Sequence, residues 1–114
     1  MLEIFKTLSD QNRLRILSML INGDMCVCEI ESGLKFTQSN ASRHLIELKR
    51  ISILDSYKKA QWTYYTINKT FINNNKKLWE YIKEELKNLP TYENDYKECL
   101  KCKTKGLCGI QNIH

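Results

Sequence analysis

The apolar residues of this chain change period twice, and that change constrains the fold more tightly than any other feature. Helical spacing holds as far as Leu48, gives way to alternation between Ile51 and Ile67, and returns from Leu78 to Leu89. Leu2, Ile4, Phe5 and Leu8 form a first short stripe. Asp10 is an N-cap candidate for a second helix, in which Leu14, Leu17, Leu20 and Ile21 share a face widened by Ile16 and Met19, and Asn22-Gly23 closes it. A third, short helix is expected from about Cys26 to Ser32, with Val27, Ile30 and Leu34 on one side and Gly33 at its end. Thr37 then caps a fourth helix whose buried face is Ala41, Leu45 and Leu48.

After these four helices, Ile51, Ile53, Trp62, Tyr64 and Ile67 fit two strands joined by a basic turn, Tyr57-Lys58-Lys59-Ala60-Gln61. Residues 68–75 read as polar and connective. Leu78, Ile82, Leu86 and Leu89, with Trp79 beside them, form a last amphipathic helix that Pro90, the sole proline, stops. The result is a mainly α chain with a small β-hairpin, in the order ααααββα of a winged helix-turn-helix. Residues 1–90 are expected to form this domain. Residues 91–114, with few aliphatics and no clear period, are expected to be a cysteine-rich tail ordered by something other than a core. The apolar stripes at Leu2–Leu8 and Leu78–Leu89 exceed what so small a core can cover, which predicts a homodimer. A two-fold axis would set two reading helices about one DNA turn (~34 Å) apart, matching a pseudo-palindromic operator.

Composition bounds the function. At 114 residues there is room for one domain. The net charge of +5 is concentrated in residues 1–90, with 14 Lys/Arg against 10 Asp/Glu. Such an excess is compatible with a polyanionic partner. No apolar run approaches the ~20 residues of a membrane span, and the opening residues lack a secretory layout, so a cytoplasmic protein is expected. Five cysteines without an export signal argue against a disulfide framework and for metal binding or reactive thiols. No His or carboxylate is placed to make a cysteine nucleophile, and no glycine-rich phosphate loop is present, so an enzyme is not expected.

The polar face of the fourth helix carries the residue types that read DNA. Gln38 and Asn40 can bond adenine in two places and Arg43 can do so with guanine. Thr37, Ser39 and Ser42 suit phosphate. His44 suits either a phosphate contact or packing beside the wing. Lys58 and Lys59 at the wing tip would meet backbone or minor groove, whereas Lys49 and Arg50 face either phosphate or water.

Phe5-Lys6-Thr7-Leu8-Ser9-Asp10, Arg13-Leu14-Arg15-Ile16-Leu17, Asp24-Met25-Cys26-Val27-Cys28-Glu29-Ile30, Gln38-Ser39, Ser42-Arg43-His44-Leu45 and Trp62-Thr63-Tyr64-Tyr65 resemble the ArsR/SmtB family of metal-sensing transcriptional repressors. The resemblance covers residues 4 to about 68 in register. It implies a homodimeric repressor that leaves double-stranded operator DNA when an inducer ion binds. It also implies that Cys26 and Cys28 look like the arsenite/antimonite and cadmium/lead site of that family. The arsenical pattern can include a third cysteine three residues further on, where this chain has Glu31. The cadmium/lead type draws thiols from an N-terminal extension that this chain lacks. The zinc type uses His on the last helix, and residues 75–89 have none.

Side chains two apart on an α-helix point about 200° away from one another, so Cys26 and Cys28 can share one ion only if the helix unwinds there or starts later. As(III) and Sb(III) favour three sulfurs in a pyramid. The expected third ligand is a tail thiol, Cys99, Cys102 or Cys108, from the same chain or its partner; the rival is a two-thiolate site completed by water or a small thiol. No permanent cofactor is expected, although Cys99, Cys102, Cys108 and His114 could together hold Zn(II). Cd(II), Pb(II), Cu(I) or thiol oxidation remain alternative inducing signals.

Overall fold

Each helix starts at a side chain that satisfies its first free N–H groups or at a break in the pattern just before it. The computed structural model describes residues 2–105. Within them, α1 spans Leu2–Leu8, α2 Gln11–Leu20, β1 Met25–Cys26, α3 Val27–Leu34, α4 Gln38–Arg50, β2 Leu54–Lys59, β3 Trp62–Ile67, α5 Lys69–Asn74, α6 Lys76–Lys87 and α7 Tyr92–Lys105. The winged helix-turn-helix is present, with α3 and α4 as its helix pair and β2–β3 as its wing. Asp10 caps α2, its carboxylate accepting from the backbone N–H of Asn12 and Arg13 at 2.8 and 3.2 Å. Thr37 caps α4 through Oγ1, which accepts from Asn40 N–H at 3.2 Å. Ile16, Leu17, Ile30, Ala41, Leu45, Leu48 and Ile53 are wholly buried where α2, α3, α4 and the sheet meet.

Several details differ from the pattern. A third strand, β1, pairs antiparallel with β3 (Met25 opposite Tyr65, Cys26 opposite Tyr64), giving the order β1-β3-β2. Two residues are too few to show a period. The wing strands begin at Leu54, because Ile51 ends α4 and Ser52 turns the chain at φ 66°. Lys58 and Lys59 belong to β2, and the turn is Ala60-Gln61, with Ala60 at φ 58°. Gly33 lies inside α3. The helix ends at Lys35, whose φ of 60° puts it in the left-handed region. Residues 69–74 form α5, capped by Asn68, and Phe71 buries itself edge-on to Trp79 at 6.0 Å.

The largest departure is α7. It has no aliphatic stripe, yet Asp95, Cys99 and Cys102 are buried, at helical spacing. The helix lies along α3 and touches α2. Asp95 pairs with Arg15, which also reaches the carbonyl of Leu34 at the C-terminal end of α3. Lys103 approaches Gly23, just before β1. The two helices therefore run antiparallel, and each turn of α7 past Cys99 approaches the start of α3.

Candidate nucleic-acid interface and thiol pair

The expected reading residues fall on one surface. Thr37, Gln38, Ser39, Asn40 and Arg43 are exposed and Ser42 half-buried, while Ala41, Leu45 and Leu48 hold the opposite face of α4 in the core. Arg43 reaches back to Asn40, with 3.5 Å between guanidinium and Oδ1. Lys58 and Lys59 are exposed at the end of the wing. Of the two basic residues at the far end of α4, Lys49 donates to Ser56 Oγ at 2.7 Å, and Arg50 is held at 2.9 and 2.7 Å by both carboxylate oxygens of Glu47.

His44 is buried, with 0% exposure, so it does not contact a phosphate in this conformation. It packs, but against α2 and the turn before α4 and not beside the wing as expected. Arg13 Nε donates to its Nδ1 at 3.1 Å, and Phe36 leans on the ring at 6.3 Å between centroids. A neutral imidazole that accepts at Nδ1 carries its proton on Nε2, which faces the Arg43 guanidinium 3.4 Å away. Burial lowers the His44 pKa, and the nearby Arg43 and Arg13 lower it further, against an opposing pull from Asp10. Arg13 was not singled out from sequence, because its partner lies 31 positions away.

The thiol pair is built by a helix that starts later than the pattern suggested. Cys26 ends β1 and is the N-cap of α3, with extended φ −83° and ψ 163°. Cys28 lies in the first helical turn. Because only one of the two is helical, the 200° divergence does not apply, and the sulfurs stand 2.8 Å apart. Glu29 Oε1 accepts from Cys26 N–H at 2.9 Å in a buried contact and pins this junction. The pair can thus address one soft ion without unwinding α3. Cys26 is buried and Cys28 half-buried.

The tail cysteines are not equivalent. Cys99 packs on Gly33, and burial, then the neighbouring Cys102 and Asp95, push its thiol up to about 12. Cys102 is buried one turn further along α7. Cys108 and His114 lie outside the described residues. Among the described residues, no three His, Cys, Asp or Glu side chains are gathered to hold a metal ion. The pair offers two ligands. No helix among the described residues is long and apolar enough to cross a membrane.

Residues 10–55 match the family described as bacterial regulatory protein, arsR family. The chain is 39% identical over 83 residues to the cadmium resistance transcriptional regulatory protein CadC of Listeria innocua, covering 72% of this chain and 70% of that protein. It is 38% identical over 66 residues to the arsenic resistance transcriptional regulator ArsR1 of Pseudomonas putida, covering 57% of this chain and about half, 52%, of that one. Reduced HlyU from Vibrio cholerae superposes with a TM-score of 0.60 at 30% identity, covering 77% of this chain and 82% of that chain.

Proposed function

The chain belongs to the ArsR family of bacterial regulatory proteins, DNA-binding transcriptional regulators and not enzymes, and from that premise we propose that it is a repressor released from its operator by a thiophilic ion. The ion is As(III) or Sb(III), bound by Cys26 and Cys28 with a third sulfur from the α7 side, Cys102 or Cys108. The observation that carries this reading is the pair of sulfurs 2.8 Å apart at the start of α3, the helix that packs against the reading helix. Cys99 is the poorest third ligand, because its contact with Gly33 and its raised pKa keep it a packed thiol. Relatives named for cadmium and arsenic resistance support the class of ion. Zn(II) held by the tail alone would need Cys108 and His114.

The regulator acts in the cytoplasm as a homodimer on a palindromic operator. Leu2 and Phe5 of α1 and Tyr81 of α6 are 69%, 51% and 62% exposed, a surface that a second copy would cover. DNA is read by Gln38, Ser39, Asn40, Ser42 and Arg43, with Thr37 and the wing residues Lys58 and Lys59 on the backbone.

The deciding experiment titrates the reduced protein, on the fluorescent duplex it selects from a random library, with arsenite, antimonite, cadmium, lead and zinc. Release by arsenite or antimonite at the lowest concentration, lost in Cys26→Ser and Cys28→Ser, is expected. Sedimentation equilibrium of the same protein should give twice the chain mass.

A second reading rests on the same sulfur proximity. Peroxide could join the two thiols as a disulfide, two thiol protons and the peroxide oxygens leaving as water. Release by peroxide and by none of the ions would select it.

A further inference from the structure

The carboxylate of Asp95 is the most deeply buried charge among the described residues, at 2% exposure, and it belongs to α7, outside the winged helix-turn-helix. Both of its oxygens are taken by one guanidinium: Arg15 Nε donates at 2.9 Å and a terminal nitrogen at 2.8 Å. The same terminal nitrogen donates to the carbonyl of Leu34 at 3.2 Å. That carbonyl ends α3 and has no partner within its helix. The guanidinium also lies 5.1 Å from the ring centre of Phe36, which leans on His44 in the reading helix. Arg15 therefore holds the turn between α3 and α4 by its last carbonyl and its aromatic side chain. A bidentate carboxylate fixes the plane of the fork that does so.

We propose that Asp95 and Arg15 form a latch through which α7 sets the angle of α3 against the reading helix, and with it the discrimination of operator from other DNA. The inference needs DNA binding alone and is independent of which ion or oxidant the thiols sense. Asp95 is a positioning residue, acting through Arg15, and touches no DNA. Releasing the latch does not release α7, because its first turn is also tied by Asn22 and the Tyr92 hydroxyl (3.1 Å) and its middle by Cys99 on Gly33.

The test uses the full reduced chain with a chelator, at one salt concentration, since phosphate contacts make affinity strongly salt-dependent. Asp95→Asn keeps the shape and removes the charge. Arg15→Lys keeps the charge and loses the fork. Each is expected to weaken binding to the library-selected duplex by about tenfold, on the scale of a charged hydrogen bond, while binding to a scrambled duplex of equal length changes less than twofold. The double variant should be no weaker than either single one, because both break one latch. Unchanged affinity for the selected duplex, an equal loss on both duplexes, or multiplied losses in the double variant would each overturn the proposal. Thermal melts followed by circular dichroism establish that each variant is folded; should Asp95→Asn unfold, Arg15→Lys decides alone by the same two affinities.

Discussion

Cys99 occupies the space that a side chain on Gly33 would need: a Cβ there would stand 2.5 Å from its Sγ and 3.1 Å from its Cα. The glycine lets α7 lie against α3 at this point, and the two opposing effects of replacing it differ in size. Gly to Ala inside a helix ordinarily gains up to ~1 kcal/mol. Overpacking a close contact costs about 1–3 kcal/mol, and here part of the clash is with backbone. Gly33→Ala is therefore expected to destabilise, by about 1–2 kcal/mol in urea unfolding, and Cys99→Ala should restore part of the loss. A stabilised Gly33→Ala protein would mean that the helices are not in this contact.

The thiols should separate by reactivity. Cys99 is buried and pushed up to about 12, so at neutral pH it is almost wholly in the unreactive thiol form. Brief iodoacetamide treatment of the native reduced protein, read by peptide mass spectrometry, should label Cys28 well before Cys99. In arsenite binding, Cys99→Ser should fall within twofold of wild type, whereas Cys102→Ser should weaken it by about tenfold or more if that residue supplies the third sulfur. Equal losses in the two would remove the distinction between them.

What could be read from sequence follows from how each contact announces itself. The helix-turn-helix was legible because Ala41, Leu45 and Leu48 repeat at helical spacing and Asp10 and Thr37 are cap residues at the right places. Helix α7 was not, because its buried face is made of Asp95, Cys99 and Cys102, types whose burial depends on a partner. Arg15 gives no sign that it will pair with a carboxylate 80 positions away. Gly33 reads as a helix end by local rules and is instead a contact surface. The thiol pair was legible as a motif but not in geometry, since one residue's shift in the start of α3, set by the pairing of Cys26 with Tyr64, decides whether the sulfurs meet.

On the DNA side, base contacts and phosphate contacts predict different losses. Arg43→Ala should cost about 1–3 kcal/mol on the selected duplex and relax its preference at one base pair, with little change on scrambled DNA. Lys58→Ala and Lys59→Ala should weaken both duplexes alike and lower the slope of log affinity against log salt by about 1 each. Fluorescence anisotropy at several salt concentrations measures both quantities. A salt slope unmoved by the wing variants would place the wing away from DNA.

The last prediction concerns pH and rests on His44. Its Nδ1 accepts from Arg13 at 3.1 Å, so protonation would set two cations against each other inside the fold. Burial, with Arg43 and Arg13, lowers its folded pKa, against Asp10, whereas the unfolded chain titrates near 6.5. As pH falls below about 6.5 the unfolded state takes up the proton first, so this stability is present above that value and is lost progressively toward the lower folded pKa. The melting temperature should therefore fall between pH 7 and pH 5. Carboxylates ordinarily titrate below that window, and Asp10 lies below it too, because its burial is outweighed by hydrogen bonds from Arg13 and Asn12 together with the nearby charges of His44 and Arg13, which lower its pKa. His44→Asn keeps an acceptor near Nδ1 and removes the titration, so its melting temperature should vary less over the same range, with His114→Gln present in both proteins to remove the other imidazole. Equal pH slopes in the two proteins would show that burial does not hold His44 neutral.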